Sequence, residues 1–347
     1  MRLFLLPVST RRTLLYCEKL HEKAASERSL LDKLTNKASE TWVAWEKDEK
    51  APFAWKKRVT LAGNQALKRI PFEEWGLKTV PALTAKRKKA IVEGREKYHV
   101  VFPGLFLPRD KVPGIIRKLA QERQAMHRRK MVWSIVGMPF TAPFMLIPMY
   151  APTSTPSDFS ADHNRRIPNL PFFYLVYRAY SHWKALTGSK HLEFLLQHSP
   201  PAMNPSPELD EVYAAGLMYP TRAVSRAAPR PTREQAEEVA SVVERQTHGG
   251  TEDVMVLQRW NGKLIAERFR LPDMEAEIER AVEQVEQSIK AKDELVEEKL
   301  ELEKATAKEG KTAKDALPKE VLQPLEEVGK KIRQEAEEVA KDKDGKH

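Results

Sequence analysis

The sequence predicts a mainly α-helical protein that combines long amphipathic helices, a proline-kinked membrane hairpin, a small α-β-β-α unit and a charged tail that is helical or disordered. Three observations predict this fold class. Apolar residues recur at helical spacing along much of the chain. The stretch MVWSIVGMPFTAPFMLIPMY at 131–150 has no charged residue, in a chain of which 31% is charged. Residues 306–347 are rich in Lys and Glu, a composition that favours disorder.

Charge is unevenly distributed along the 347 residues, which carry a formal net charge of +10. Residues 273–347 contain 15 basic and 22 acidic residues, a net of −7, and residues 1–272 contain 44 basic and 27 acidic residues, a net of +17. A basic body with an acidic tail predicts a polyanion or an anionic lipid surface as a partner of the body. The single Cys17 excludes an internal disulfide and an all-cysteine metal site.

Residues 1–130 are predicted to form a basic, helical N-terminal domain with a targeting-like start. MRLFLLPVSTRRTLLYC is rich in Leu and Arg and has no acid before Glu18, which is typical of a mitochondrial transit signal. The alternative is a short buried strand, LFLLPV, that leads into a helix capped by Ser9 or Thr10. Apolar residues at helical spacing predict a helix that ends near Lys47 and a second helix that begins after Pro52. The segment PFEEWGLKTVP is expected to be a connector, and YHVVFP is expected to form a strand.

Residues 131–198 are predicted to form a membrane hairpin with segments 131–150 and 167–186 and a loop at 151–166. Twenty apolar residues cover about 30 Å as a helix, the thickness of a bilayer core. Basic residues precede the first segment, and its three prolines are tolerated better in a membrane helix than in a soluble core helix. The second segment contains Arg178, so a re-entrant or interfacial helix is an alternative to a span.

The C-terminal half is predicted to contain a proline-rich linker at 199–233, a helix/hairpin/helix unit at 234–305 and the charged tail at 306–347. Within the unit, VMVLQRW and KLIAERF flank Asn261-Gly262, a pair that fits a two-residue hairpin turn. The helix from Met274 has apolar residues on a heptad seam, which predicts a short coiled coil. The residues of that seam are Ile278, Val282, Val285, Ile289 and Val296.

No motif of a known active site or nucleotide site is present, so the sequence predicts neither an enzyme nor a cofactor. Recognised nucleic-acid motifs are absent as well, and no nucleic-acid partner is expected. His182, His191 and His198 lack ligand spacing on one helical face and are expected at the surface or at a membrane interface. Because ionisable groups inside a membrane are commonly functional, Arg178 and His182 are the candidate functional residues of the membrane segments.

Two basic clusters are candidate contacts for anionic lipid headgroups such as cardiolipin. The alternative for the first cluster is a solvated helix face. Neither membrane segment contains an acid, which argues against a cation exchanger that is complete in these two segments. The residues of the clusters are Lys86, Arg87, Lys88 and Lys89, and Arg128, Arg129 and Lys130.

Several long runs resemble the mitochondrial K⁺–H⁺ exchange-related family, a chiefly fungal group. They are MRLFLLPVSTRRTLLYC, RIPFEEWGLKTVP, HRRKMVWSIVGMPFTAPF, IPNLPFFYLVYRAYSHWKALTGSKHLEFLL and LPDMEAEIERAVEQVE. The resemblance implies an inner-mitochondrial-membrane component or regulator of potassium/proton exchange, with soluble parts facing the matrix and other exchanger subunits as partners. APTSTPSDFSADHNRR departs from the family pattern and is either a loop insertion or an unspliced intron. A membrane-anchored scaffold or assembly factor is the alternative function.

Overall fold

The computed structural model describes residues 1–18, 37, 40–45, 55–96, 98–145, 170–199, 201–247 and 250–315. The chain divides into two compact units, Met1–Glu286 and Gln287–His347. The first unit combines a small mixed sheet with helices, so the prediction of a mainly helical protein is confirmed. The predicted loop at 151–166 and the predicted tail from residue 316 onward lie outside the described residues.

The sheet has four strands: β1 (Arg2–Pro7), β2 (Thr13–Cys17), β3 (His99–Phe102) and β4 (Ala202–Pro205). Their order is β2-β1-β3-β4. β1 pairs antiparallel with β2, while the β1–β3 and β3–β4 pairs are parallel. Strand β1 is buried on both faces because helices and loops cover the sheet, and its Leu and Phe side chains have no exposed area.

The N-terminal stretch contributes two strands of this sheet. The alternative that LFLLPV is a buried strand is confirmed, but the helix expected after Ser9 is wrong. Val8 and Ser9 donate backbone hydrogen bonds to the carbonyl oxygen of Arg12, which closes a tight turn. The chain therefore reverses, and TLLYC pairs with β1 as a second apolar strand.

Between β2 and β4, the helices whose bounds lie within the described residues are α1 (Trp55–Lys68), α2 (Phe72–Thr79), α3 (Ala85–Val92), α4 (Val112–Gln121), α5 (Gln124–Thr141) and α6 (Leu170–His198). The segment expected to be a connector is helix α2, which follows Pro71. Thr84 caps α3 by accepting a hydrogen bond from the backbone N–H of Arg87. Pro113 lies in the first turn of α4, where backbone N–H groups have no acceptor within the helix, so its missing N–H costs no helical hydrogen bond.

Helices α5 and α6 pack side by side and antiparallel, since His127 contacts His182 and Gly137 approaches Leu175. Helix α5 contains Pro139 and gives way to a 3₁₀ turn at Ala142–Met145. Among the described residues, no helix combines the length and apolar character that crossing a membrane requires. The predicted membrane hairpin is therefore not supported. The four basic residues expected to stop a span, 127–130, lie within α5 itself.

The segment 199–233, expected to be a linker, contributes β4 and two helices, α7 (Pro207–Met218) and α8 (Arg222–Ala227). Proline has a structural role at its strand and helix ends. Pro205 closes β4 at the edge of the sheet, and Pro207 occupies the first turn of α7 after the capping residue Ser206. One face of α7 is buried in the core of the first unit.

The predicted β-hairpin around Asn261-Gly262 is wrong. After α9 (Arg233–Gln246), the residues of the expected second strand form α10 (Arg259–Phe269). Only Met255 of the expected first strand makes a β-bridge, with Ser9. The Asn-Gly pair serves helix packing: Asn261 donates to the carbonyl oxygen of Val212 in α7, and Gly262 lets α10 approach Ile278.

Helix α11 (Pro272–Asp315) crosses the boundary between the two units. Its first turns belong to the core of the first unit, where Ile278, Val282 and Val285 are buried. Every residue from 291 to 301 is exposed, including Val296. The coiled coil is not supported, because the start of the heptad seam packs within the first unit and its end faces solvent.

Candidate functional site

A buried network of polar side chains lies where α2, α5 and α6 meet. Glu74 comes from α2 and His127 from α5, while Arg178, Ser181 and His182 follow one another at helical spacing on α6. Glu74, His127, Ser181 and His182 are at most 2% exposed. Such burial is costly for polar groups unless they pair with one another, so the hydrogen bonds between them hold the three helices in register.

Glu74 lies at the centre of this network and is held by two residues of α6. Nη1 of Arg178 donates to its Oε1 at 2.9 Å, and Nη2 donates to its Oε2 at 3.2 Å. Ser181 Oγ donates to Oε1 at 2.6 Å. Burial alone would raise the pKa of Glu74, but the Ser181 hydrogen bond and the Arg178 charge outweigh it and lower that pKa. Glu74 is therefore an ionised carboxylate in a buried ion pair.

The two buried histidines face each other through their Nδ1 atoms, which are 3.1 Å apart. Arg178 Nη2 lies 2.9 Å from His182 Nε2, and because arginine can only donate, this nitrogen accepts. His182 then carries its hydrogen on Nδ1 and donates it to His127. Burial lowers the pKa of both rings, that of His182 to about 4, so both are neutral at neutral pH. His127 Nε2 is buried without a hydrogen-bond partner.

Lys78 extends the network along α2. Its Nζ donates to Ser181 Oγ at 2.8 Å and lies 3.4 Å from the centre of the Trp75 ring. The guanidinium of Arg280, from α11, lies 4.3 Å from the same ring centre. Burial lowers the pKa of Lys78 to about 7, although the charge of Glu74 acts in the opposite direction. Helix α2 thus connects the network to α11.

Of the residues that the sequence singled out, Arg178 and His182 meet in this network. The expectation that His182 and His191 are surface or interfacial residues is wrong, since both are buried, and His191 Nδ1 lies 2.6 Å from the carbonyl oxygen of Pro81. His198 is exposed. The sequence analysis did not identify Glu74. The one feature that could have indicated it is the pair Glu73-Glu74 within the otherwise mostly apolar, proline-bounded segment PFEEWGLKTVP.

The basic residues chosen as lipid contacts lie on two helices. Arg128, Arg129 and Lys130 are exposed on α5, next to the network residue His127. On α3, three of the four candidates are exposed, and Arg87 is half-buried with its guanidinium 3.7 Å from Glu96. The exposed α3 residues are Lys86, Lys88 and Lys89.

Beyond these basic residues, the α5–α6 pair exposes large apolar side chains, which together we name the apolar face. On α5, Trp133 is 68% exposed and Phe140 is 75% exposed. A shallow apolar depression connects the two helices and includes Met131 and Trp183. An exposed apolar surface beside basic residues is typical of a binding surface. The members of the apolar face are Val132, Trp133, Ile135, Val136, Phe140, Phe173, Tyr174, Val176 and Trp183.

The chain has relatives among fungal proteins. A family model described as mitochondrial K⁺-H⁺ exchange-related matches residues 2–152 and 166–196, ranges that include every α2, α5 and α6 residue of the buried network. An uncharacterized protein of Schizosaccharomyces pombe is 28% identical over 213 residues, which are 61% of this chain and 82% of that protein. An uncharacterized protein of Saccharomyces cerevisiae is 26% identical over 221 residues, 56% of this chain and 62% of that protein. No solved structure matches the chain.

Proposed function

This chain belongs to the mitochondrial K⁺-H⁺ exchange-related family, and from that premise we propose that it acts at the inner mitochondrial membrane as a component or regulator of potassium/proton exchange. In this role it contributes to matrix cation and volume homeostasis. Its partners are membrane lipids and other subunits of the exchanger, and its soluble parts face the matrix.

The observation that carries the proposal is the apolar face together with the exposed Arg128, Arg129 and Lys130. Aromatic side chains such as Trp133 and Tyr174 favour the boundary between headgroups and acyl chains. Basic residues near a membrane contribute about 1 kcal/mol each through anionic lipids. An anionic bilayer, for example one that contains cardiolipin, therefore matches both the apolar and the charged parts of this surface.

Swelling of de-energised mitochondria in potassium acetate tests the role in exchange. Acetic acid enters as the neutral molecule and releases a proton in the matrix, so sustained swelling requires K⁺ to enter in exchange for that proton. We expect mitochondria that lack the protein to lose swelling, and nigericin, an artificial K⁺/H⁺ exchanger, to restore it. Unchanged swelling without the protein would contradict the proposed function.

Flotation with cardiolipin-containing liposomes tests the membrane contact. We expect the double substitution Trp133→Glu/Phe140→Glu to abolish co-flotation, since each buried carboxylate would oppose transfer into the acyl region. The matched control is Val224→Glu/Val242→Glu, which changes two exposed apolar residues on α8 and α9. If the control and the apolar-face variant float equally well, the apolar face does not bind the bilayer.

The second candidate function is a membrane-anchored scaffold or assembly factor that affects exchange indirectly. The observation that favours it is the exposed part of α11, where Leu295, Val296 and Leu300 offer apolar side chains to a partner helix. Purified protein in potassium-loaded liposomes distinguishes the two functions. Potassium/proton flux through this chain alone would exclude the scaffold, because a scaffold carries no ions itself.

A further inference from the structure

We propose that Glu74, His127 and His182 form a binding site for a divalent first-row transition metal, with Zn²⁺ as the preferred ion. One potential ligand atom from each residue lies within 4.8 Å of the other two, and all three residues are buried. This site is independent of the role in ion exchange, because it rests on the geometry of the three side chains.

Two of the three distances between the ligand atoms suit a tetrahedral ion. The Nδ1 atoms of His127 and His182 are 3.1 Å apart, and His182 Nδ1 lies 3.6 Å from Glu74 Oε2. With metal–nitrogen distances of about 2.0–2.1 Å and a similar metal–oxygen distance, these separations correspond to angles of about 98° and about 120° at the metal. Both angles lie close to those of tetrahedral coordination.

The chemistry of the three side chains points to the same class of ion. Two imidazole nitrogens and one carboxylate oxygen are a ligand set of zinc sites that keep a fourth position for water or another ligand. Imidazole also suits copper and nickel, whereas Ca²⁺ and Mg²⁺ prefer oxygen ligands. The three residues come from three helices, α2, α5 and α6, so a bound ion would cross-link the helices around the network.

Arg178 holds the site together in the absence of a metal. Its guanidinium neutralises Glu74 and donates to His182 Nε2. When Nδ1 of His182 binds a metal, the ring hydrogen must move to Nε2, and Arg178 has to release that nitrogen while it keeps its contact with Glu74 Oε1. Arg178 is partly accessible, with 12% of its side chain exposed, which leaves room for this shift. The arginine therefore competes with the metal for the site.

Metal binding by the untagged full-length protein tests the site. We expect titration calorimetry with Zn²⁺ to give one site per chain, and His127→Gln and His182→Gln each to weaken it at least 100-fold. His198→Gln, which removes an exposed histidine outside the network, is the matched control and should bind like the unchanged protein. Equal zinc binding by all four proteins would overturn the proposal.

Two further measurements remain informative if the histidine variants fold poorly. The unchanged protein loaded with Co²⁺ should show the intense visible absorption of tetrahedral cobalt, and Zn²⁺ should abolish it. Arg178→Gln removes the competing positive charge and should bind Zn²⁺ at least 5-fold more tightly. Absence of a cobalt spectrum, or of any stoichiometric zinc in the unchanged protein, would show that the histidines only hydrogen-bond to each other.

Discussion

At the scale of single residues, the fold buries ionisable side chains that are distant in sequence from their partners. Glu74 pairs with Arg178, and Tyr213 donates to the carbonyl oxygen of Pro7, 206 residues away in the chain. Asp210 differs from Glu74, because its partner is a neutral group, the backbone N–H of Leu105 at 3.0 Å. Burial therefore dominates and raises the pKa of Asp210 from 3.8 to about 6.

Asp210 should make the protein more stable at mildly acidic pH. Between pH 3.8 and about 6 the folded state binds more protons at this residue than the unfolded state does, so its contribution to stability falls as the pH rises through that window. Asp210→Asn keeps an oxygen acceptor for Leu105 and removes this dependence. We expect the unchanged protein to gain about 1 kcal/mol over the variant between pH 7.5 and pH 4.5, measured by urea unfolding, which is less than the full pKa shift corresponds to because solvent screens the half-buried carboxyl group. Parallel stability curves for the two proteins would refute the assignment.

At the scale of elements, the sequence correctly predicted helices and strands whose pattern lies within the element itself. YHVVFP is β3, TAKRKKAIVEGREK is largely α3, and EQAEEVASVVERQ is α9, which starts with a capping box formed by Thr232 and Gln235. The local sequence at Asn261-Gly262 fits a hairpin, because the residues that pack against this pair, Gly216 and Ile278, lie in other helices.

The candidate site was predictable only in part for the same reason. Arg178 and His182 were chosen because ionisable residues are uncommon in an apolar segment, and this signal is local. Glu74 is 104 residues from Arg178 in the chain, and it lies in a short helix that proline and glycine make look like a connector. His127 was counted among basic residues, although its ring faces inward while its neighbours Arg128 and Arg129 face solvent.

The close contact between α2 and α6 predicts the effect of a substitution at Gly188. A Cβ atom there would lie 2.1 Å from the carbonyl oxygen of Leu77, so the two helices would have to separate. We expect Gly188→Ala to lower the free energy of unfolding by about 1–3 kcal/mol. Urea denaturation followed by circular dichroism measures it.

Gly114→Ala in α4 is the matched control, since no atom lies within 4 Å of the added Cβ. Alanine is the better helix former, so this change should be neutral or stabilise by up to about 1 kcal/mol. Equal effects of the two substitutions would show that the contact between α2 and α6 is looser than the structure indicates.

At the scale of the whole molecule, the first unit holds both the family-matched residues and the buried network. Its core includes the sheet and the start of α11, where Met274 and Val285 are buried. The second unit begins at Gln287, and its described residues from 291 to 301 are all exposed. Because the first unit is compact, we expect it to unfold cooperatively without the residues that follow Lys292.

A truncated chain that ends at Lys292 tests this independence. The end point leaves nearly two helical turns after Val285, so that fraying of the new terminus does not reach the buried residues. We expect cooperative urea unfolding with a free energy within about 0.5 kcal/mol of that of the first unit in the full chain. A loss of cooperativity, or a decrease of more than about 1 kcal/mol, would show that the second unit contributes to the core.

The position of β1 in the sheet has a consequence for how the protein folds. β1 is synthesised before its parallel neighbour β3, which begins at His99, and before the edge strand β4, which begins at Ala202. During translation, the apolar hairpin of β1 and β2 lacks β3 until Phe102 has emerged from the ribosome, and the sheet is incomplete until Pro205 has emerged. Pairings of such long sequence separation form slowly and leave an aggregation-prone strand exposed. The nascent chain thus has a long interval in which a chaperone that holds its first strands would benefit folding.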